Sequence, residues 1–205
     1  MTVRVKFCGL TRPCDIEAAN ELVPDYAGFV FWRGSRRYVS PGNAEALRKI
    51  LRPGIVSVGV FVDESPGIIA DISGRNIISI IQLHGHEDTE YISHIKVLTG
   101  RPVIKAFSIR SADDVKAAEN CPADYVMADS GMGTGKVFDW SFLAGITRPF
   151  FLAGGLYAGN VRQAVSLLKP FAVDVSSGIE TDGVKDKVKM SEFIAALREE
   201  NHNDE

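Results

Sequence analysis

Lys6-Phe7-Cys8-Gly9-Leu10-Thr11-Arg12 carries an apolar run into a thiol, then a glycine, then a threonine able to cap a helix. That is the pattern of a strand delivering a base or nucleophile to a strand-to-helix loop. Much of the chain repeats it: an apolar run ends in small or reactive residues, and a helical segment follows. The run ends supply Cys8; Arg36 and Arg37; Asp63; His84; Asp129; Gly154 with Gly155; and Ser176, Ser177 and Gly178. Cys8 has two readings. Most free cysteines are small buried hydrophobes, whereas a thiol near a helix N-terminus or a cation serves as a base through its thiolate. Gly9 removes bulk beside the sulfur, which suits an arriving ligand. Asp129 closes the run Tyr125-Val126-Met127-Ala128 and by parity shares a face with Tyr125 and Met127. It reads as a loop cap or as a general acid kept protonated by partial burial.

The glycine and serine clusters point to an anion. Ala153-Gly154-Gly155-Leu156 and Val173-Asp174-Val175-Ser176-Ser177-Gly178 end two successive apolar runs. Backbone N–H groups in such loops, with a short helix N-terminus, form the phosphate site of many barrels. Ser35-Arg36-Arg37-Tyr38 is either a solvated surface pair or a bidentate grip on a carboxylate. His84, in Gln82-Leu83-His84-Gly85, is a packed strand-end residue or a substrate contact. His84, His86 and Asp88 have no obvious further partners, so no metal site is expected. Gly133-Thr134-Gly135-Lys136 is not a P-loop, because the earlier glycine is missing and Val137 follows the lysine; a mobile lid loop fits it better.

These residues need a frame, and the hydrophobic pattern supplies one. Strands are expected over 3–7, 26–32, 55–62, 77–83, 102–107, 124–128, 150–153 and 171–175. Helices are expected over 15–23, 41–51, 65–72, 88–98, 111–119, 139–144 (weak), 160–168 and 187–199, with a polar tail over 201–205. Thr11, Pro13 and Asp15 would open the first helix, Ser40 with Pro41 the second, and Ser111 the fifth. The strands are rich in Val, Ile and Phe, as parallel strands covered on both faces should be. About eight βα units are the number needed for a (β/α)8 TIM barrel, an α/β fold whose active sites lie in the loops after the strands.

Composition agrees with one domain over residues 1–205. The chain has 205 residues, 45% hydrophobic and 24% charged, and no linker-like tract divides it. A net charge of -3 and a pI near 5.8 argue against a nucleic-acid partner. No apolar run approaches the ~18 residues of a membrane span, and the N-terminus enters a strand without a signal-like region. The three cysteines, Cys8, Cys14 and Cys121, follow no disulfide or zinc spacing, which suits reduced thiols in the cytoplasm.

Several motifs, in order, resemble the phosphoribosylanthranilate isomerase family of tryptophan biosynthesis over nearly the whole chain. They are Val5-Lys6-Phe7-Cys8-Gly9-Leu10-Thr11, Gly28-Phe29-Val30-Phe31 with Ser35-Arg36-Arg37-Tyr38-Val39-Ser40-Pro41, Val58-Gly59-Val60-Phe61-Val62 and Gln82-Leu83-His84-Gly85. Gly133-Thr134-Gly135-Lys136 with Phe138-Asp139-Trp140, Leu152-Ala153-Gly154-Gly155-Leu156 and Val173-Asp174-Val175-Ser176-Ser177-Gly178-Ile179-Glu180 complete the set. The resemblance implies an Amadori rearrangement of N-(5-phosphoribosyl)anthranilate to 1-(2-carboxyphenylamino)-1-deoxyribulose 5-phosphate, with no metal or organic cofactor. It places the family's base on Cys8 and its acid on Asp129. The arginine for the anthranilate carboxylate falls on Arg37, and the phosphate loops fall on Gly154, Gly155, Ser177 and Gly178. It also implies a monomer or homodimer, with no membrane or nucleic-acid partner. The chain departs from the family pattern at Met132, where a glycine is usual, at Arg36, where many members have proline, and in the Val126-Met127-Ala128 run.

Two other functions fit some of the residues. Lys105, in Val103-Ile104-Lys105-Ala106, suits a Schiff-base aldolase, and the phosphate loops alone suit a non-catalytic phosphosugar-binding barrel. Parity adds one structural expectation. If Cys8 faces the barrel mouth, Lys6 faces the interior, where it needs an anion. Asp174, two residues before Ser176 on the strand that closes the barrel, is the candidate; the alternative is a Lys6 that leans outward between helices.

Overall fold

A computed structural model describes residues 3–129, 143 and 145–198. Parallel strands β1 (Arg4–Cys8), β2 (Tyr26–Val30), β3 (Val56–Phe61), β4 (Ile80–Leu83), β5 (Val103–Ser108), β6 (Tyr125–Asp129), β7 (Phe150–Ala153) and β8 (Ala172–Val175) close into a barrel in chain order. The closing pair sets Lys6 opposite Asp174. Around it lie α1 (Pro13–Leu22), α2 (Pro41–Ile50), α3 (Pro66–Gly74), α4 (Thr89–Thr99), α5 (Ala112–Glu119), α6 (Ala158–Leu168) and α7 (Lys187–Arg198). This is the (β/α)8 architecture that the alternation of elements predicts. No helix among the described residues is long and apolar enough to cross a membrane. The lid loop expected at Gly133-Thr134-Gly135-Lys136, nearly all of the helix expected over 139–144, and the tail over 201–205 lie outside the described residues.

Strand alternation builds two apolar layers. Tyr26, Val58, Ile80, Ile104, Met127, Phe151 and Ala172 point inward and pack together at the base of the barrel. Their neighbours Ala27, Ile81, Val103, Val126, Leu152 and Val173 point outward into the core beneath the helices. Both strand faces are therefore buried, which is why the strands read as continuous apolar runs.

The caps follow the expected chemistry with one change. Ser40, Asp88 and Ser111 accept the backbone N–H groups of Asn43, Tyr91 and Asp114. At α1 the Thr11 hydroxyl is not the cap. Asp15 reaches back instead and accepts the backbone N–H groups of Thr11 and Arg12, each at 2.9 Å. The strand expected over 77–83 begins only at Ile80, because Ile77 and Ile78 are buried by packing rather than by ladder pairing. The strand expected to reach Trp32 ends at Val30, where the chain turns off the ladder.

The sequence pattern read here also passed over a short antiparallel ribbon after β8, formed by β9 (Glu180–Thr181) and β10 (Val184–Lys185). Its signal was present in Thr181-Asp182-Gly183-Val184. Asp182 and Gly183 both have positive φ, at 51° and 79°, as a two-residue Asp-Gly hairpin turn requires. The ribbon pairs Glu180 with Lys185 and carries both to the barrel mouth.

Candidate active site

A cavity of about 400 Å³ opens at the C-terminal ends of the strands. Cys8, Arg37, His84, Asp129, Gly154, Gly155 and Ser177 all line it, so residues singled out at the ends of six separate strands share one mouth. Gly178 lies against an adjoining cavity that also contacts Gly155 and Ser177. Arg36, by contrast, is not among the residues lining the main cavity.

Cys8 ends β1 almost fully buried, packed against Val30 and Val60. All three cysteines are free. The carbonyl of Cys8 accepts the Ser176 hydroxyl at 3.1 Å, which ties the end of β1 to the loop after β8. Burial pushes the thiol up, and the Lys6 ammonium is the strongest influence pulling it back. Lys6 itself is completely buried and donates to Asp174 at 2.8 Å, so the inward reading of parity is the correct one. Burial disfavours that ammonium, but Asp174 and Cys8 outweigh it and hold Lys6 above the usual lysine range.

Asp129 ends β6 and sits 3.3 Å from His84 Nε2. His84 is therefore more than a packed strand-end residue: it pairs with the candidate acid. Its Nδ1 lies 3.1 Å from the amide nitrogen of Gln82, which is buried beneath it on the same strand face. With the amide in this orientation, Nδ1 accepts and Nε2–H points at the carboxylate. The sequence signal for this contact is parity, which sets Gln82 two residues before His84 on one face of β4.

Arg37 faces the cavity with its fork already engaged. Nε and Nη2 donate to the two oxygens of Glu180 at 2.6 and 2.8 Å. Glu180 also accepts from Lys185 at 2.6 Å and from exposed Arg36 at 3.1 Å. The Glu180 hydrogen bonds raise Arg37 above the usual arginine range. At Glu180 burial works against the charge, yet Arg37 and Lys185 outweigh it and hold the carboxyl below the usual range. At Lys185 burial wins and the ammonium falls below its usual range. Glu180 and Lys185 are the functional neighbours that the sequence pattern missed, because the ribbon that carries them was missed.

Gly154 and Gly155 adopt φ of 93° and 60°, which bends the loop after β7 tightly beside the cavity. Ser177 and Gly178 begin the 3-10 turn Ser177–Ile179. Gly178 passes so close to the Leu156 carbonyl that no side chain fits there, so the two glycine-rich loops touch through their backbones.

Other candidates fall outside the cavity. Asp63 pairs with His86 at 3.0 Å on the rim. Lys105 points outward between strand and helix, where it donates to Glu87 at 2.7 Å and to the Gly85 carbonyl at 2.6 Å. A Schiff-base role for Lys105 lacks both access and a free amine. Among the described residues, no group of His, Cys, Asp or Glu could hold a metal ion.

Residues 5–196 match the family model described as N-(5'phosphoribosyl)anthranilate (PRA) isomerase. The chain is 42% identical over 200 residues to an N-(5'-phosphoribosyl)anthranilate isomerase of Endomicrobium trichonymphae, covering 95% of this chain and 98% of that one. A crystal structure of phosphoribosyl anthranilate isomerase from Thermotoga maritima superposes with a TM-score of 0.88 at 38% identity, covering 96% of this chain and 98% of that one. A second, solved in complex with reduced 1-(o-carboxyphenylamino)-1-deoxyribulose 5-phosphate, gives 0.86 at 37% identity over 96% and 98% of the two chains.

Proposed function

The chain belongs to the phosphoribosylanthranilate isomerase family, and from that premise we propose that Cys8 and Asp129 are the base and acid of its reaction. The enzyme converts N-(5-phosphoribosyl)anthranilate to 1-(2-carboxyphenylamino)-1-deoxyribulose 5-phosphate, a step of tryptophan biosynthesis carried out in the cytoplasm by one domain. The observation that carries this reading is the convergence of Cys8, Asp129, Arg37 and the glycine loops on one cavity.

Asp129 gives its proton to the furanose ring oxygen. The C1′–O bond breaks and the anilino nitrogen closes a protonated Schiff base. Cys8, as thiolate, takes the proton from C2′, and the resulting enolamine tautomerises to the ketone. Atoms and charge balance without an external reagent. General acid and base contributions of this kind are worth about 10²–10⁴ each. The His84 Nε2–H, 3.3 Å from Asp129, stabilises the carboxylate left after the first proton transfer. Gly154, Gly155, Ser177 and Gly178 take the 5′-phosphate through backbone donors. Because Glu180 occupies the Nε–Nη2 edge of Arg37, the anthranilate carboxylate meets the other edge, Nη1–Nη2. That edge also offers two parallel N–H groups.

The test is the loss of anthranilate-type fluorescence after addition of freshly made phosphoribosylanthranilate. Enzyme-dependent decay faster than spontaneous breakdown is expected. Tight binding without decay would identify a non-catalytic phosphosugar-binding barrel instead.

A further inference from the structure

The proposed base sits almost fully buried against Val30 and Val60, an environment that opposes a thiolate. Its usefulness as a base then depends on a cation. We propose that Lys6 is a positioning residue, the counter-cation that offsets the burial of Cys8 and draws it toward its thiolate, and that Gly28 leaves the space in which the two meet. This rests on the reading of Cys8 as the base.

Lys6 and Cys8 lie two residues apart on β1, so their side chains share the inner face. Gly28 is the β2 partner of Cys8 in the ladder. A Cβ added to Gly28 would stand 3.0 Å from Cys8 Sγ and 3.2 Å from Lys6 Nζ. Sulfur and nitrogen thus approach each other across the volume that any larger residue would fill. The ammonium has three donors, and Asp174 takes one of them at 2.8 Å. The burial that makes an unpaired thiolate costly also strengthens its attraction to the ammonium.

Charged groups on β1, β8, β10 and the loop after β2 act on the sulfur. Lys6 favours the thiolate most, and Lys185, from β10, favours it less. Asp174, from β8, opposes it, by less than Lys6 favours it. Arg37, from the loop after β2, is itself raised by Cys8. Lys6 is therefore the dominant cation, and Asp174 keeps that cation charged while only partly offsetting it. A purely structural Lys6–Asp174 pair needs no contact with the thiol.

The experiment measures alkylation of Cys8 by iodoacetamide across pH, followed by peptide mass mapping, with exposed Cys14 as internal reference. The variants are Lys6→Met and Lys6→Met with Asp174→Leu. Removing both buried charges avoids an uncompensated one, so where the single variant fails to fold the double variant carries the test. The expected result is a folded double variant whose Cys8 reacts about tenfold more slowly near neutral pH, with its rate–pH curve moved to higher pH. Loss of Asp174 alone would speed the reaction, so slowing in the double variant reports the missing ammonium. A double variant with the wild-type Cys8 profile would overturn the proposal and leave Lys6 as half of a structural pair. The readout needs no turnover. Turnover surviving in Cys8→Ser would instead refute Cys8 as the base and leave the thiol profile untouched.

Discussion

Replacing Glu180 with glutamine tests how the arginine at the cavity is held. The carboxylate is almost completely buried, with 4% of its side chain exposed, and it serves three cations. Their burial ranks their importance. Lys185 is 2% exposed, Arg37 22% and Arg36 62%. Glutamine keeps the shape and one acceptor oxygen but removes the charge, leaving Lys185 buried without an anion. Breaking one side of such a pair costs ~3–5 kcal/mol. The Arg36 contact, largely in solvent, adds no more than the ~0–1 kcal/mol of a surface pair. We therefore expect Glu180→Gln to cost about 3 kcal/mol near neutral pH, the low end because one hydrogen bond to Lys185 survives. The pH dependence has a definite sign. The folded-state pKa of Glu180 is depressed, so its contribution is fully present above the unfolded value of ~4.3 and is lost as pH falls through the lower folded value. Urea unfolding at a series of pH values should show a wide gap between wild type and variant near neutrality that closes in acid. A gap below ~1 kcal/mol at neutral pH, or one that does not narrow in acid, would refute the ranking of Lys185 as a buried, dependent partner.

Three further outcomes are expected. Cys8→Ser should fold normally yet lose nearly all turnover, since a hydroxyl is too weak an acid to supply the anion; retention of more than about a tenth of wild-type kcat would remove Cys8 from the base role. Arg37→Ala should raise KM far more than it lowers kcat, because it holds a carboxylate that changes little during reaction, and Arg36→Ala should do less. Steady-state kinetics showing the reverse ranking would move the carboxylate site by one residue. Lys6→Met should destabilise by ~3–5 kcal/mol, and Asp174→Leu added to it should restore much of the loss; two independent, additive losses in chemical denaturation would show that the pair is not coupled.

Much of this molecule was legible because its informative signals are local. A parallel strand covered on both faces must be apolar throughout, so each strand announced itself by composition, and its last residue marked the active face. Two-residue parity placed Lys6 beneath Cys8. The order of strands in a barrel then placed Asp174 beside Lys6, and the 2.8 Å contact follows from those two rules. Strand ends were less legible where burial outruns pairing, as at Ile77 and Ile78, since an apolar side chain is the same whether its backbone joins the ladder or not.

What the chain alone determined is the barrel, the face on which the candidate residues meet and the residue types brought to it, because each depends on periodicity and on the ends of single strands. What only the tertiary structure decided is which polar group meets which. Nothing near Arg37 in sequence announces Glu180, which lies 143 residues away and is delivered by a small hairpin. Nothing in Gln82-Leu83-His84 names Asp129 as its partner, because β4 and β6 meet only across the mouth of the closed barrel. Lys105 and Lys6 look alike as strand lysines, yet one points outward to Glu87 and the other inward to Asp174. A charge carries no periodicity of its own; its partner is set by the closure of the barrel and by the scarcity of water inside it, where a buried ion must find an opposite charge or forfeit its own.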